Sequence, residues 1–156
     1  MVKNRIVHTV FVTLALATAA GASPARADRC DDLAAQLKSQ IDGLAVGTTK
    51  AKLIYLSHTL TTQLTLGCAS RNVTNELFAR TDSRKPKPAF IDLVASAAAI
   101  IFTLPKDDML RGSARCITRM GLLHGDDVAT RYRRLDIRCS RTKTEASITI
   151  SRSTDQ

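Results

Sequence analysis

The chain contains no tryptophan, and aromatic residues make up only 4% of its length. Beyond residue 27 it holds five aromatic side chains, at Tyr55, Phe78, Phe90, Phe102 and Tyr132. Proteins that bind single-stranded nucleic acid stack bases on aromatic rings within a basic groove, and only Tyr132 is interleaved with arginines here. Helix-turn-helix, RNA-recognition and zinc-finger signatures are absent as well. These absences argue against nucleic acid as the partner.

The sequence also lacks common motifs of catalysis. It has no GxSxG, HExxH or CxxCH motif and no phosphate-binding glycine loop. Two histidines lie beyond residue 27: His58 sits among hydroxyl residues, and His124 precedes Asp126 and Asp127 as a base with orienting acids would. A lone histidine such as His58 is usually structural or exposed, and a role as a ligand or base is the alternative. Because nothing supplies a nucleophile for His124, we predict no catalytic residue, no cofactor and no enzymatic activity.

A long uninterrupted apolar run is missing too, which bears on the first 27 residues. Basic residues at positions 3 and 5 are followed by a mostly apolar stretch over 6–20 and by the small-residue triplet Ala25-Arg26-Ala27. A membrane-spanning helix needs about 20 consecutive apolar residues, and a histidine and three threonines interrupt this stretch. The pattern therefore predicts a cleavable secretory signal peptide at residues 1–27, with the cut after Ala27, and no transmembrane segment after cleavage.

Residues 28–156 then form one secreted domain that is long enough to bury a hydrophobic core. The signal segment holds three basic residues and no acid, so the domain keeps 20 basic and 14 acidic residues. Its net charge is therefore +6, compared with +9 for the whole chain. Such a moderate charge fits an acidic partner better than a dedicated role in nucleic-acid binding. The abundance of arginine and alanine fits a bacterium of high GC content.

Cysteine usage indicates disulfides rather than a metal site. No CxxC pair occurs, and gaps of 38, 48 and 23 residues do not resemble the spacing of zinc ligands. An even number of cysteines beyond an export signal is typical of disulfide bonding. Three pairings of Cys30, Cys68, Cys116 and Cys139 are possible. We favour Cys30–Cys68 with Cys116–Cys139, because each bridge then joins neighbouring elements.

Helical spacing appears in three segments. The first has an apolar stripe with two aspartates in its first turn: Leu33, Leu37, Ile41 and Leu44. The second opens at Pro88, closes at Pro105 and is apolar nearly all round, which predicts a buried helix rather than a membrane span. The third follows Pro105, with Gly121 as its C-cap and a strand over 114–120 as the alternative. Its predicted stripe is Leu110, Ala114, Ile117 and Met120.

Strand-like alternation occurs in the intervening segments. Residues rich in β-branched side chains predict two short strands at about 51–58 and 62–69, and a helix over 53–66 is the alternative. Residues 73–78 are predicted as a further strand or a turn of helix. A polar, basic loop, DSRKPKP, follows at residues 82–88.

The stretch RYRRLDIRCSRTKTEASITISR, residues 131–152, predicts an antiparallel β-hairpin. In the period-two pattern Leu135, Ile137 and Cys139 share one face with Arg131 and Arg133, and the return strand buries residues 146, 148 and 150. Thr142 and Lys143 lie at the predicted turn. The arginines are interpreted first as the solvated face of this hairpin. The functional alternative is an anion-binding patch of Arg131, Arg133, Arg134, Arg138 and Lys143.

The sequence thus predicts a small single α+β domain with an N-terminal helix, short antiparallel strands, two central helices, a C-terminal β-hairpin and two disulfides. The favoured function is non-enzymatic: a periplasmic or secreted envelope protein that binds an acidic protein or an anionic envelope polymer through its basic hairpin. One alternative is a small inhibitor or accessory subunit that docks on an acidic protein. The other is a periplasmic enzyme without a known motif.

Overall fold

The computed structural model describes residues 25–69, 73–121 and 123–153, so that most of the predicted signal segment lies outside the described residues. Three helices and seven strands follow one another along these residues. In chain order they are α1 (Ala25–Gln40), β1 (Ala45–Lys50), β2 (Leu53–Ser57), β3 (Gln63–Gly67), β4 (Val73–Thr81), α2 (Pro88–Phe102), α3 (Lys106–Arg119), β5 (Asp127–Tyr132), β6 (Leu135–Arg141) and β7 (Ala146–Ser153).

All seven strands belong to one antiparallel sheet with the order β1-β2-β3-β4-β7-β6-β5. The first four strands form one meander and the last three form another. The two meet where β4 pairs with β7, with Leu77 opposite Ile150 and Ala79 opposite Ile148. The predicted single α+β domain is confirmed, and the predicted terminal hairpin is the inner part of a three-stranded unit.

The helices cover one face of this sheet. Side chains alternate along each strand, and those on the helix side are mainly buried and apolar. Helix α2 is buried along most of its length and packs against α1, α3 and β4. No helix in the described part of the chain is both long and apolar enough to cross a membrane. The largest fully buried side chains are Phe90, Leu37, Ile54, Leu64, Leu66, Leu77, Met109, Leu135, Ile137, Ile148, Ile150 and Val94.

The N-terminal half follows the predicted pattern with two departures: α1 ends before Ile41 and Leu44 of its predicted stripe, and one strand was not predicted. Strands β2 and β3 replace the helical alternative over 53–66, and β4 settles residues 73–78 as strand. Strand β1 was not predicted. Its six residues are all exposed, so no apolar alternation marks it, and it exists because its backbone pairs with β2 at the sheet edge. The helix before it ends at Gln40, and Gly43 with φ of 75° turns the chain.

Helix α3 is rotated relative to the prediction. Of the predicted stripe, Leu110, Ala114 and Ile117 are only partly buried, and Met120 is buried at the C-cap. The buried residues of the helix itself are Asp108, Met109, Gly112, Ser113 and Cys116. The Cys116 bridge and the missing side chain of Gly112 direct this face towards the sheet, because a Cβ on Gly112 would lie 2.8 Å from Ile137 Cδ1. The C-cap assigned to Gly121 is also wrong, since the helix ends in an extended Met120.

The C-terminal strands confirm one predicted turn and add another. Leu135, Ile137 and Cys139 are buried, residues 146, 148 and 150 are buried opposite them, and the turn at 142–145 lies where it was expected. A second turn at Arg133 and Arg134 separates β5 from β6, so these arginines do not continue the strand of Leu135. Both residues have positive φ, 50° and 62°. Turns of this type favour glycine and asparagine, which is why the sequence does not reveal it.

The two disulfides have the predicted pairing, Cys30–Cys68 and Cys116–Cys139. The first joins α1 to the chain after β3, and the second joins α3 to β6. Each bridge therefore fastens one outer helix to the sheet. Helix α2 lies between them and is held by packing, by the ion pair of Asp92 with Lys106 and by a hydrogen bond from Arg152 to the Phe102 carbonyl oxygen. Disulfides persist in oxidising compartments, which indicates an extracytoplasmic environment for this protein.

Removing a bridge should lower stability through the unfolded chain. Closing a loop of the 23-residue separation of Cys116–Cys139 removes unfolded-state entropy worth about 3 kcal/mol. We expect Cys116→Ala/Cys139→Ala to lose about that free energy of unfolding in a urea titration. Cys30→Ala/Cys68→Ala is the comparison, with a loss of the same order expected. A loss below about 1 kcal/mol would contradict this assignment of its role.

Candidate anion-binding surface

The five basic residues predicted as an anion-binding patch are distributed over three places. Arg131 and Arg138 lie on the sheet face that no described helix covers, which we call the open face. Arg133 and Arg134 form the β5–β6 turn, and Lys143 lies in the β6–β7 turn. Strand β6 separates the two turns, and its seven residues span about 23 Å at roughly 3.3 Å per residue. The structure therefore does not bring all five together.

The two arginines of the open face are paired with acids. Arg131 Nε lies 3.8 Å from Asp136 Oδ1, and Arg138 Nε lies 3.0 Å from Asp127 Oδ1. A shallow concavity of about 590 Å³ lies between these pairs, and Glu76 adds another carboxylate to its lining. All four paired side chains are more than half exposed, so each pair contributes only about 0–1 kcal/mol. Because acids balance arginines, the open face is not a basic surface.

A different arrangement surrounds Asp108 in the first turn of α3. Asp108 is buried, yet its carboxylate pairs with Arg111 on the same helix and with Arg133 Nε at 3.3 Å in the β5–β6 turn. The hydrogen bond from Arg111 lowers the pKa of Asp108; burial opposes this effect, and the charge of Arg133 and the Tyr132 hydroxyl reinforce it. Asp108 thus ties the start of α3 to the turn.

Helix α3 continues this basic region along its length. Arg111, Arg115 and Arg119 are spaced four residues apart, so they lie on one side of the helix at a rise of about 6 Å per step. All three are exposed. Gly112, next to this row, faces the ring of Tyr132, which places the row on the side of α3 that adjoins β5 and β6.

We call these five residues the arginine surface: Arg111, Arg115, Arg119, Arg133 and Arg134. Asp107 and Asp108 at the start of α3 are the acids within it, so the formal charge of the region is +3. Sequence reasoning found the two turn arginines but missed the three on α3. The signal for these was their four-residue spacing within a predicted helix. Their proximity to the turn depends on tertiary packing and could not be predicted.

The histidine considered as a ligand or base is held by the backbone. His58 Nδ1 accepts a hydrogen bond from the Leu60 N–H at 3.2 Å, and Nε2 lies 3.1 Å from the Asp42 carbonyl oxygen. This places the ring proton on Nε2, which donates to Asp42. Both nitrogens are engaged, so the geometry describes a latch between the end of α1 and the β2–β3 turn.

The second histidine lies in a loop whose acids have other partners. His124 is exposed, whereas Asp126 pairs with Arg141 and Arg84. The hydrogen bond from Arg141 lowers the pKa of Asp126, with support from Arg84 and opposition from burial. Asp127 pairs with Arg138. No base–acid pair of His124 with either aspartate is formed among the described residues.

A serine–lysine motif occurs at the end of β6. Ser140 and Lys143 fit the pattern SxxK, in which a lysine can activate a serine nucleophile. Here Ser140 is at the end of β6 and Lys143 is exposed in the following turn. The Ser140 hydroxyl lies 2.8 Å from the Ser147 hydroxyl across the strands. A cross-strand contact therefore accounts for Ser140.

Comparisons with known proteins do not extend this description. No protein-family model matches the chain, and neither a curated protein nor a solved structure is significantly similar to it. Within residues 25–69, 73–121 and 123–153, no group of three or more histidine, cysteine or acidic side chains is placed to hold a metal ion.

The Asp108 pairing predicts a pH-dependent stability. Its pKa is lower in the folded protein than in the unfolded chain, so its contribution is fully present above about pH 5 and is lost as the pH falls below about 4. In urea titrations, we expect the difference in unfolding free energy between the parent and Asp108→Asn to shrink as the pH is lowered from about 5 to about 3. Asp107→Asn controls for net charge. A difference that stays constant from pH 3 to 7 would exclude the pairing.

The His58 latch predicts a single tautomer. Because Nδ1 accepts from a backbone N–H, long-range ¹H–¹⁵N correlation spectra at pH 8 should show His58 protonated on Nε2 alone. The exposed His124 serves as the internal reference. Observation of a proton on Nδ1 of His58 would rule out the latch.

Proposed function

We propose that this protein is a non-enzymatic binding protein of the bacterial cell envelope and that it contacts an anionic partner through the arginine surface. The observation that carries the proposal is the row of three exposed arginines on α3, which begins beside the two arginines of the β5–β6 turn, where Asp108 joins the helix to the turn. The proposal keeps Arg133 and Arg134 from the predicted hairpin patch. It replaces the other three members with the arginines of α3.

The chemistry of arginine supports an anionic partner. A guanidinium offers five N–H donors in a planar fork that matches carboxylate and phosphate oxygens, and it stays charged at any physiological pH. Arg111 and Arg133 each engage Asp108 while their side chains remain about 60% exposed, so part of each guanidinium faces solvent. Arg115, Arg119 and Arg134 make no ion pair within the described residues. The surface is therefore available to an external anion.

The rigidity of the surface is a second support. Cys116 lies between Arg115 and Arg119 and is bonded to Cys139, which fixes the middle of the row relative to β6. Asp108 fixes its beginning relative to the β5–β6 turn. Side chains on a held backbone lose less conformational freedom when a partner binds.

The place of action is part of the proposal. Two disulfides agree with an oxidising compartment, and the sequence of residues 1–27 is typical of a cleavable export signal. We infer that the protein functions in the periplasm or after secretion. An acidic protein or an anionic polymer of the envelope would meet the arginine surface there.

Binding to immobilised polyanions tests the arginine surface. We expect the oxidised protein to be retained on poly-glutamate and polyphosphate at low salt and released as salt screens the charges. Arg115→Glu/Arg119→Glu should weaken retention on the order of tenfold, because two attractive charges become repulsive. The quantity to measure is the apparent Kd at 50 and 300 mM salt.

The control changes net charge by the same amount elsewhere. Lys50→Glu/Lys52→Glu alters two exposed residues at the β1–β2 turn, at the sheet edge opposite β5. Retention of this variant close to that of the parent supports the arginine surface. Equal losses in both double variants would show that only net charge matters and would refute the proposal.

A further inference from the structure

A loop that projects an apolar side chain follows the arginine row of α3. Its sequence, residues 121–125, is GLLHG. The Gly121 N–H donates to the Gly125 carbonyl oxygen at 3.0 Å, and the Gly125 N–H donates back at 2.8 Å, so the loop is closed at its base. Gly125 has a φ of 75°, which permits this tight return. Leu123 and His124, which lie between the glycines, are both exposed.

Leu123 in this loop is 93% exposed. The next most exposed large hydrophobic residues that the structure describes, Tyr55 and Val46, are 39% and 38% exposed. A single exposed leucine is ordinary on a protein surface. Leu123 differs because a closed loop holds it outward and because it lies four residues beyond Arg119, at the end of the arginine row.

We propose that the arginine surface and Leu123 together attach the protein to the surface of an anionic lipid bilayer. This inference rests on the proposed function and names its partner. Guanidinium groups pair with phosphate oxygens of the lipid headgroups, and the leucine enters the boundary between headgroups and acyl chains. Peripheral proteins combine these two features, because basic side chains near an anionic surface and buried apolar area both add to membrane affinity.

The geometry favours a lipid surface over a soluble polyanion or a folded protein. A soluble polyanion offers no apolar environment, so the exposed Leu123 side chain would gain no free energy by leaving water. A protein partner would have to supply a pocket for a protruding side chain. A bilayer surface offers anionic groups and an apolar interior side by side, which suits the arginines of α3 and the exposed Leu123 in the loop that follows the helix.

The arrangement along α3 also suits a planar target. The row from Arg111 to Arg119 extends about 12 Å along the helix, and the two turn arginines lie at its beginning. Leu123 lies at its other end. An approach with α3 close to the membrane plane brings cations to several headgroups, whereas the loop tip makes the deepest contact.

The absence of tryptophan provides a direct probe of this contact. In Leu123→Trp, the introduced side chain is the sole tryptophan of the protein. We expect its emission to shift to shorter wavelength when vesicles containing phosphatidylglycerol are added, because the indole moves from water to the interface. Val46→Trp, at an exposed position in β1, is the matched control and should not shift.

Vesicle flotation measures the energetic role of both features. The full oxidised protein should float with vesicles of 30% phosphatidylglycerol in phosphatidylcholine and remain in solution with phosphatidylcholine alone. We expect Leu123→Ser and Arg115→Glu/Arg119→Glu each to lower the partition coefficient at least about fivefold. Val46→Ser and Lys50→Glu/Lys52→Glu are the respective controls and should bind as the parent does.

The outcomes separate this inference from the proposed function. Retention on polyanions without flotation, or flotation that Leu123→Ser leaves unchanged, would overturn the lipid target and leave the anion-binding function standing. If Arg115→Glu/Arg119→Glu and its charge-matched control lose polyanion retention to the same extent, the proposed function itself is overturned. Flotation that depends on Leu123 but not on the two α3 arginines would overturn the joint site.

Discussion

The pairing of β4 with β7 is the contact on which the rest of the molecule depends. These strands are neighbours in the sheet, yet α2, α3, β5 and β6 separate them along the chain. Their pairing unites a four-stranded and a three-stranded meander into one sheet. Contacts between segments so distant in sequence are formed against a substantial loss of chain entropy. Apolar pairs such as Leu77 opposite Ile150, buried beneath the helices, compensate for that loss.

The β4–β7 pairing also determines where the arginine surface lies. The chain leaves the sheet centre after β4, crosses it as α2 and α3, and re-enters at the far edge as β5. Helix α3 therefore lies over β5 and β6, and its arginine row meets the β5–β6 turn. The two disulfides attach α1 and α3 to the sheet on either side of the central β4–β7 pair, and α2 packs on β4 between them.

Elements with a clear local pattern could be predicted from the sequence. Features that depend on tertiary packing, such as the orientation of a helix, could not. The apolar stripe of α1, the apolar surface of α2 and the alternation of β6 and β7 were sufficient to predict these elements and the disulfide pairing. The rotation of α3 could not be predicted, because it follows from the contact of Gly112 with Tyr132 and Ile137. Strand β1 was missed since it buries nothing. The predicted patch omitted the arginines of α3 because its members were all chosen from one continuous segment. Residues that are distant in sequence become neighbours only through tertiary packing.

The left-handed backbone of Arg133 and Arg134 has a consequence for how this sequence can change. For residues other than glycine such a conformation is strained by roughly 1–2 kcal/mol each. Asparagine followed by glycine would relieve that strain and would also remove two of the five charges. The ion pair of Arg133 with Asp108 offsets part of the strain, whereas Arg134 has no such pair among the described residues. At this turn, selection for a more stable fold and selection for a more basic surface act in opposite directions.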